Sequence, residues 1–349
     1  MSFSFKPSAA PARQDHPPSS MDENLDLSRW RERPRGVGYR RWVILSTGLR
    51  KLSRLWFFRV LFLMSWVVAT FLALTGFLAS QSVVEGGELD SLLSNFGPRG
   101  AAVASAIRAV VLLYPDVVMN TLFTTIFWLE TNCALFISLL ALTAMIPSLV
   151  TRDRASNALT VYLSRPLTSA DYLLGKLGTI AGVLILLWTG PLLFTWLLSV
   201  LFASDHDFLV YSLSPLLRAL LFNGIALVAL SAIAMGVSAL TRTARTTIVV
   251  WLGLWLVAGF VADIPHMPRW MQHVSFNYDL AQLRSQILGI GSALTEAGQK
   301  LPLINHRLSE NLTEAGRRTT VTDAAGSLAG LIMLGALGAL SLFRRFKPE

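Results

Sequence analysis

Six long apolar runs decide what this chain can fold into. They lie near residues 59–79, 122–150, 177–202, 218–240, 246–262 and 325–343. A helix crosses the hydrocarbon core of a bilayer with about 20 mostly apolar residues, so each run reads as a membrane span. Composition agrees. The 349 residues are 53% hydrophobic and only 15% charged, where soluble chains carry about 25% charged residues. The expected fold is an all-α integral membrane protein whose core is helix packed on helix within lipid.

Charge gives the orientation. With both ends on the cytoplasmic side, 21 of the 30 Lys and Arg fall in inner segments and 8 in outer loops, with Arg218 at an edge. This is the basic-inside asymmetry of membrane proteins. A seventh run, 101–113, has only 13 residues and carries Arg108. Counting it as a span would invert the charge pattern, so an interfacial or re-entrant helix is expected there. The net charge of +9 is concentrated before the first span, where anionic lipid explains it better than nucleic acid does.

Residues 1–35 are polar and rich in Pro and Ser, which reads as a disordered cytoplasmic tail. Residues 36–58 place Arg40, Arg41, Arg50, Lys51 and Arg54 among Trp42, Leu45, Leu49, Leu52, Leu55 and Trp56 at helical spacing. That pattern predicts an amphipathic helix at the cytoplasmic surface. The extracytoplasmic loop 263–324 is too long for a plain connection. Within it, 269–290 reads as an amphipathic helix on the outer face.

Catalytic signatures are missing. The chain contains no GxSxG, HExxH or CxxC, and Gly175-Lys176 is not a phosphate loop, because Ala170 and Leu177 stand where that motif needs Gly and Ser or Thr. The chain therefore reads as a non-enzyme with no cofactor of its own. The single cysteine, Cys133, sits in an apolar run and reads as a small buried side chain. His266, His273 and His306 share one loop but lack the spacing of a metal site. Glu130 is the acid inside a span, and an intramembrane acid is a functional candidate by default, here for a translocation path. Pro191 is expected to kink the third span, and Asn223 to hydrogen-bond between helices.

The segment 151–176, TRDRASNALTVYLSRPLTSADYLLGK, separates two spans with an ordered, charged hairpin. Ala155, Leu159, Tyr162 and Leu163 fall on one helical stripe. Ser164-Arg165-Pro166 stops that helix, and Thr168 or Ser169 can cap the next. The order Asp153-Arg154, Leu159, Leu163-Ser164-Arg165-Pro166, Tyr172, Gly175-Lys176 resembles the permease subunits of bacterial ABC-2 type ATP-binding-cassette exporters. Asn157 stands where that family often has Gly, and Asn tolerates similar backbone conformations.

The resemblance implies an ATP-driven exporter in the bacterial inner membrane. ATP would be bound by a separate ATPase subunit, and a second permease copy or homologue would complete a dimer. It implies that the hairpin is a cytoplasmic coupling helix, with Asp153, Arg154, Leu159, Arg165 and Pro166 facing the ATPase. The alternative is a non-transporting scaffold that holds a cytoplasmic partner through the same hairpin.

Overall fold

The computed structural model describes residues 36–81, 87–156, 168–201, 203, 207–262, 264, 268–300, 306–319 and 324–346. Among these residues six helices are long and apolar enough to cross a membrane: Trp56–Gln81, Pro115–Asp153, Ala170–Leu201, Phe208–Leu240, Ala244–Ala262 and Ala324–Ser341. All six expected spans are present. Several run past their apolar limits, because a helix continues for as long as its ends are capped, not only where it is oily. The second starts at Pro115 with Asp116 in its first turn; Pro is preorganised for a first turn, and an acid there complements the helix dipole.

The first span packs along the third, the second against the first and fourth, and the fourth against the sixth. The fourth and sixth meet at Gly236 and Gly338, where a Cβ on Gly236 would strike the Gly338 backbone. Small residues at such crossings let backbones approach, which is how helices gain packing energy in lipid. The third span is interrupted by a π-helical turn at Ile185–Thr189, immediately before Gly190-Pro191. Pro191 lacks the N–H that a regular helix would use, and the wider turn absorbs the misfit. Asn223 of the fourth span donates to Thr189 Oγ1 of that turn at 3.0 Å.

The run at 101–113 belongs to a helix Pro98–Leu113. It follows the helix Glu88–Ser94, and Arg108 pairs with Asp90 between the two. The loop after the fifth span departs most from the sequence reading. Instead of one surface helix over 269–290, the chain forms Arg269–Gln272, then Phe276–Leu288 capped by Ser275, then Ile290–Lys300. The break falls at Gly289, whose φ of +69° suits glycine. Phe276–Leu288 is inserted among the second, fourth and sixth spans. Phe276, Asp279 and Leu280 are fully buried, and Phe276 stacks on Trp251. The hydrophobic period resembles that of a surface helix, but two of its charged positions, Asp279 and Arg284, are buried as well. Asp279 bonds His273 Nδ1 at 2.7 Å, and Arg284 reaches Asn132.

Candidate functional site

The hairpin 151–176 begins where the second span ends, and its base is held by three sets of contacts. Asp153 and Tyr172 come from opposite arms, and the Tyr172 hydroxyl lies 2.6 Å from Asp153 Oδ2 and 3.1 Å from the Leu149 carbonyl. Lys176, one helical turn on, places its ammonium 2.8 Å from the same carboxylate oxygen and 3.3 Å from the Ser148 carbonyl. The lysine also lies over the Tyr172 ring. Asp153, Tyr172 and Lys176 therefore converge in space, and the two arms cannot separate without breaking a partly buried ion pair.

The second set joins the hairpin to the fourth and fifth spans. Thr151 is fully buried. Its hydroxyl lies within hydrogen-bond range of Ser238, Thr241 and Thr247, and the Val150 and Thr151 amides donate to Ser238 Oγ. Ser238 donates in turn to the Ile146 carbonyl. These hydroxyls satisfy backbone groups freed where the second span narrows into the short turn Ile146–Ser148. Buried polar groups need such partners. Thr243 then caps the fifth span by accepting from the Thr246 amide.

The third set brings in the amphipathic helix Val37–Ser53. It packs lengthwise on the start of the third span and runs in the same direction. Ile44 lies on Gly175, Leu45 on Gly178 and Leu49 on Gly182, while Gly48 receives Thr179. At the end of this seam Arg41 donates to Asp171 Oδ1 through Nε at 2.8 Å and Nη2 at 2.5 Å. Asp171 also accepts from Thr168, which caps the third span by accepting from the Asp171 amide. The cap expected at Thr168 or Ser169 is thus made by Thr168, whose hydroxyl accepts from the Asp171 amide and donates to the Asp171 carboxylate. The glycine row 175, 178 and 182 is at helical spacing and could have signalled this seam. The Arg41–Asp171 pair joins distant segments and leaves no local pattern.

Of the residues singled out for coupling, Asp153 lies in the latch that it forms with Tyr172 and Lys176, and Arg154 in the short helix Thr151–Ala155. Leu159, Arg165 and Pro166 lie outside the described residues, as does most of the expected docking stripe. Glu130 is remote from the hairpin. It is enclosed between the first three spans, 2% exposed, and accepts from Thr195 Oγ1 at 3.0 Å. Thr195 also lies 3.1 Å from the Ala69 carbonyl, halfway along the first span. The other Glu130 oxygen, Oε2, has no hydrogen-bond partner among the described residues.

Residues 46–346 match the family model described as ABC-2 family transporter protein. No curated protein and no solved structure matches the chain.

Proposed function

The chain belongs to the ABC-2 transporter family, and from that premise we propose that it is the membrane permease of an ATP-driven exporter, powered through the 151–176 hairpin by a separate ATPase subunit. The observation that carries the coupling role is the anchoring of the hairpin base. Asp153, Tyr172 and Lys176 clamp its arms together, and Thr151 ties it to Ser238 and Thr247. A displacement of the hairpin therefore reaches the second, third, fourth and fifth spans together. An element that is rigid at its base and bonded to four helices suits the transmission of a push from a soluble partner.

In this reading the hairpin end faces the bacterial cytoplasm, both termini lie on that side, and two permeases form the translocation unit. ATP binds the partner, so no nucleotide site is needed here. Arg154, Leu159, Arg165 and Pro166 contact the ATPase, and Asp153 holds the geometry. Glu130 remains the candidate for the path through the membrane.

The test is reconstitution with the ATPase subunit captured by pull-down on this chain. Arg154→Glu combined with Leu159→Asp should abolish co-purification and permease-dependent ATP turnover. Unchanged binding and turnover in that double variant would sink the coupling role. Intact, coupled ATP turnover without movement of any cargo would favour the scaffold instead.

A further inference from the structure

We propose that the cleft between the helix Val37–Ser53 and the facing ends of the second and third spans binds one anionic phospholipid, with the phosphate held by Lys51 and Arg152. The proposal rests on this end facing the cytoplasm, as argued above, and not on what the protein transports.

Charge is the first argument. The cleft is lined by three cations, Lys51, Arg152 and Lys176, and by one carboxylate, Asp153. That carboxylate is already engaged by Lys176 and Tyr172. Lys51 and Arg152 have no ion-pair partner among the described residues and face the same space. Two uncompensated cations on the walls of one cleft favour an anion, and a phosphate diester has the charge and the acceptor oxygens to meet both.

Shape and position select a lipid. The cleft measures about 350 Å³, at the small end of the range of roughly 300–1,000 Å³ in which small ligands are held. That accommodates a headgroup with its glycerol and excludes a whole phospholipid. The cleft also carries an apolar wall, with Leu55 and Ala144 beside the cations. Beyond Leu55 the first span presents exposed Phe57 and Val60, a surface on which acyl chains can lie. Trp42 and Trp56 are 61% and 76% exposed nearby on the same chain segment, and tryptophans of this kind settle at the headgroup level of a bilayer. Lysine and arginine stems can follow the apolar wall while their charged ends reach the phosphate.

A lipid held here would bridge the N-terminal helix to the end of the second span, where the hairpin starts. It would act as a removable wedge beside the latch.

Native mass spectrometry of the full-length chain, purified in mild detergent and titrated with phosphatidylglycerol or phosphatidylcholine, tests this. One phosphatidylglycerol per chain should be retained in preference to phosphatidylcholine. Lys51→Gln with Arg152→Gln should weaken retention by about 10- to 30-fold, the scale of two lost lysine or arginine contacts at an anionic surface. Arg50→Gln with Arg54→Gln removes the same charge from outside the cleft and should leave retention unchanged. Thr47→Trp fills the cleft without altering charge, so it should also lower retention. Equal losses in both charge pairs, or full retention by Thr47→Trp, would overturn the site. Displacement by soluble glycerol 3-phosphate at matched concentration would show a headgroup-only anion site. Displacement by the purified ATPase would show that a protein covers the cleft. Either result would overturn the lipid. Because retention needs no transport, a chain that binds lipid yet exports nothing counts against the exporter reading alone.

Discussion

Lys176 and Asp153 sit at opposite ends of the hairpin sequence and meet at 2.8 Å, sharing the Asp153 oxygen with the Tyr172 hydroxyl. Both side chains are about four-fifths covered. The pair is therefore shielded from solvent more than an ordinary surface bridge, which contributes only about 0–1 kcal/mol. A double-mutant cycle with Asp153→Asn and Lys176→Met should give a coupling free energy of about 1–2 kcal/mol in thermal unfolding. Single variants should lose more than the double, since each leaves a charge without its partner. In the reconstituted complex Lys176→Met should retain ATPase binding while lowering stimulated turnover. Loss of binding with unchanged turnover per complex would assign Lys176 to the interface and not to the latch.

The seam between the N-terminal helix and the third span makes a geometric prediction. A Cβ built on Gly178 falls 3.8 Å from the Leu45 Cβ, which is the usual Cβ–Cβ separation of a disulfide. In a Cys133→Ala background, Leu45→Cys with Gly178→Cys should form an intramolecular bond on mild oxidation, seen as a gel shift reversed by reductant. Leu45→Cys paired with a cysteine at Leu186, farther along the third span, should not. Gly175→Ile should have the opposite effect, because even a Cβ there would lie 2.9 Å from Ile44. That variant should lift the helix and make residues 41–49 sensitive to added protease.

The spans were legible in the sequence because lipid imposes a requirement that composition alone reveals: long apolar runs with basic flanks. The Thr168 cap and the Asn223 contact were legible for a local reason, each being a polar residue in a place where only one kind of partner exists. Two features were hidden. The insertion of Phe276–Leu288 among the spans could not be inferred from its amphipathic period, because Asp279 and Arg284 look like solvent-facing residues until His273 and Asn132 are brought to them. The Thr151 hydroxyl network draws on Ser238, Thr241 and Thr247, and isolated Ser and Thr residues near helix ends give no signal of mutual contact. The latch was half legible. Asp153, Tyr172 and Lys176 were each part of one recurring pattern, but only the fold shows that they touch.

Glu130 separates a structural role from a transport role through substitutions of different shape. Glutamine keeps the acceptor for Thr195 and the volume of the site, so Glu130→Gln should fold with stability within about 1 kcal/mol of the parent. Glu130→Ala should cost about 2–4 kcal/mol, through a cavity among three packed helices, while the Thr195 hydroxyl keeps the Ala69 carbonyl as its acceptor. Thermal unfolding in detergent reads both. If Glu130 serves the translocation path through its ionisable group, Glu130→Gln will lose export while keeping its melting temperature. If export survives, the residue is a packing element and the path lies elsewhere.

Arg284 carries the last prediction because its charge is enclosed and has no carboxylate to balance it among the described residues. Arg284 is 5% exposed, and its guanidinium donates to Asn132 Oδ1 at 2.6 Å and lies 4.9 Å from the centre of the Trp128 ring. Burial pulls its pKa down from the usual arginine value to about 10, which leaves it cationic at neutral pH. The stabilising groups are therefore a ring face and an amide oxygen, contacts worth about 1–3 kcal/mol together when shielded from water. Trp128→Leu should lower the melting temperature, and Arg284→Met should be tolerated better than Arg284→Ala, because methionine fills the space without demanding a partner. The pH dependence follows from the sign of the shift. Below about 10 the folded and unfolded chains both hold this proton, so Arg284 adds no slope to stability. Above about 10 the unfolded chain binds the proton more tightly, and this residue's penalty on folding shrinks as pH rises. Wild type and Arg284→Met should accordingly show parallel stability curves from pH 6 to 9. A slope in that interval present only in the wild type would mean that the cation titrates near neutrality, and that its shelter is less complete than the Trp128 and Asn132 contacts imply.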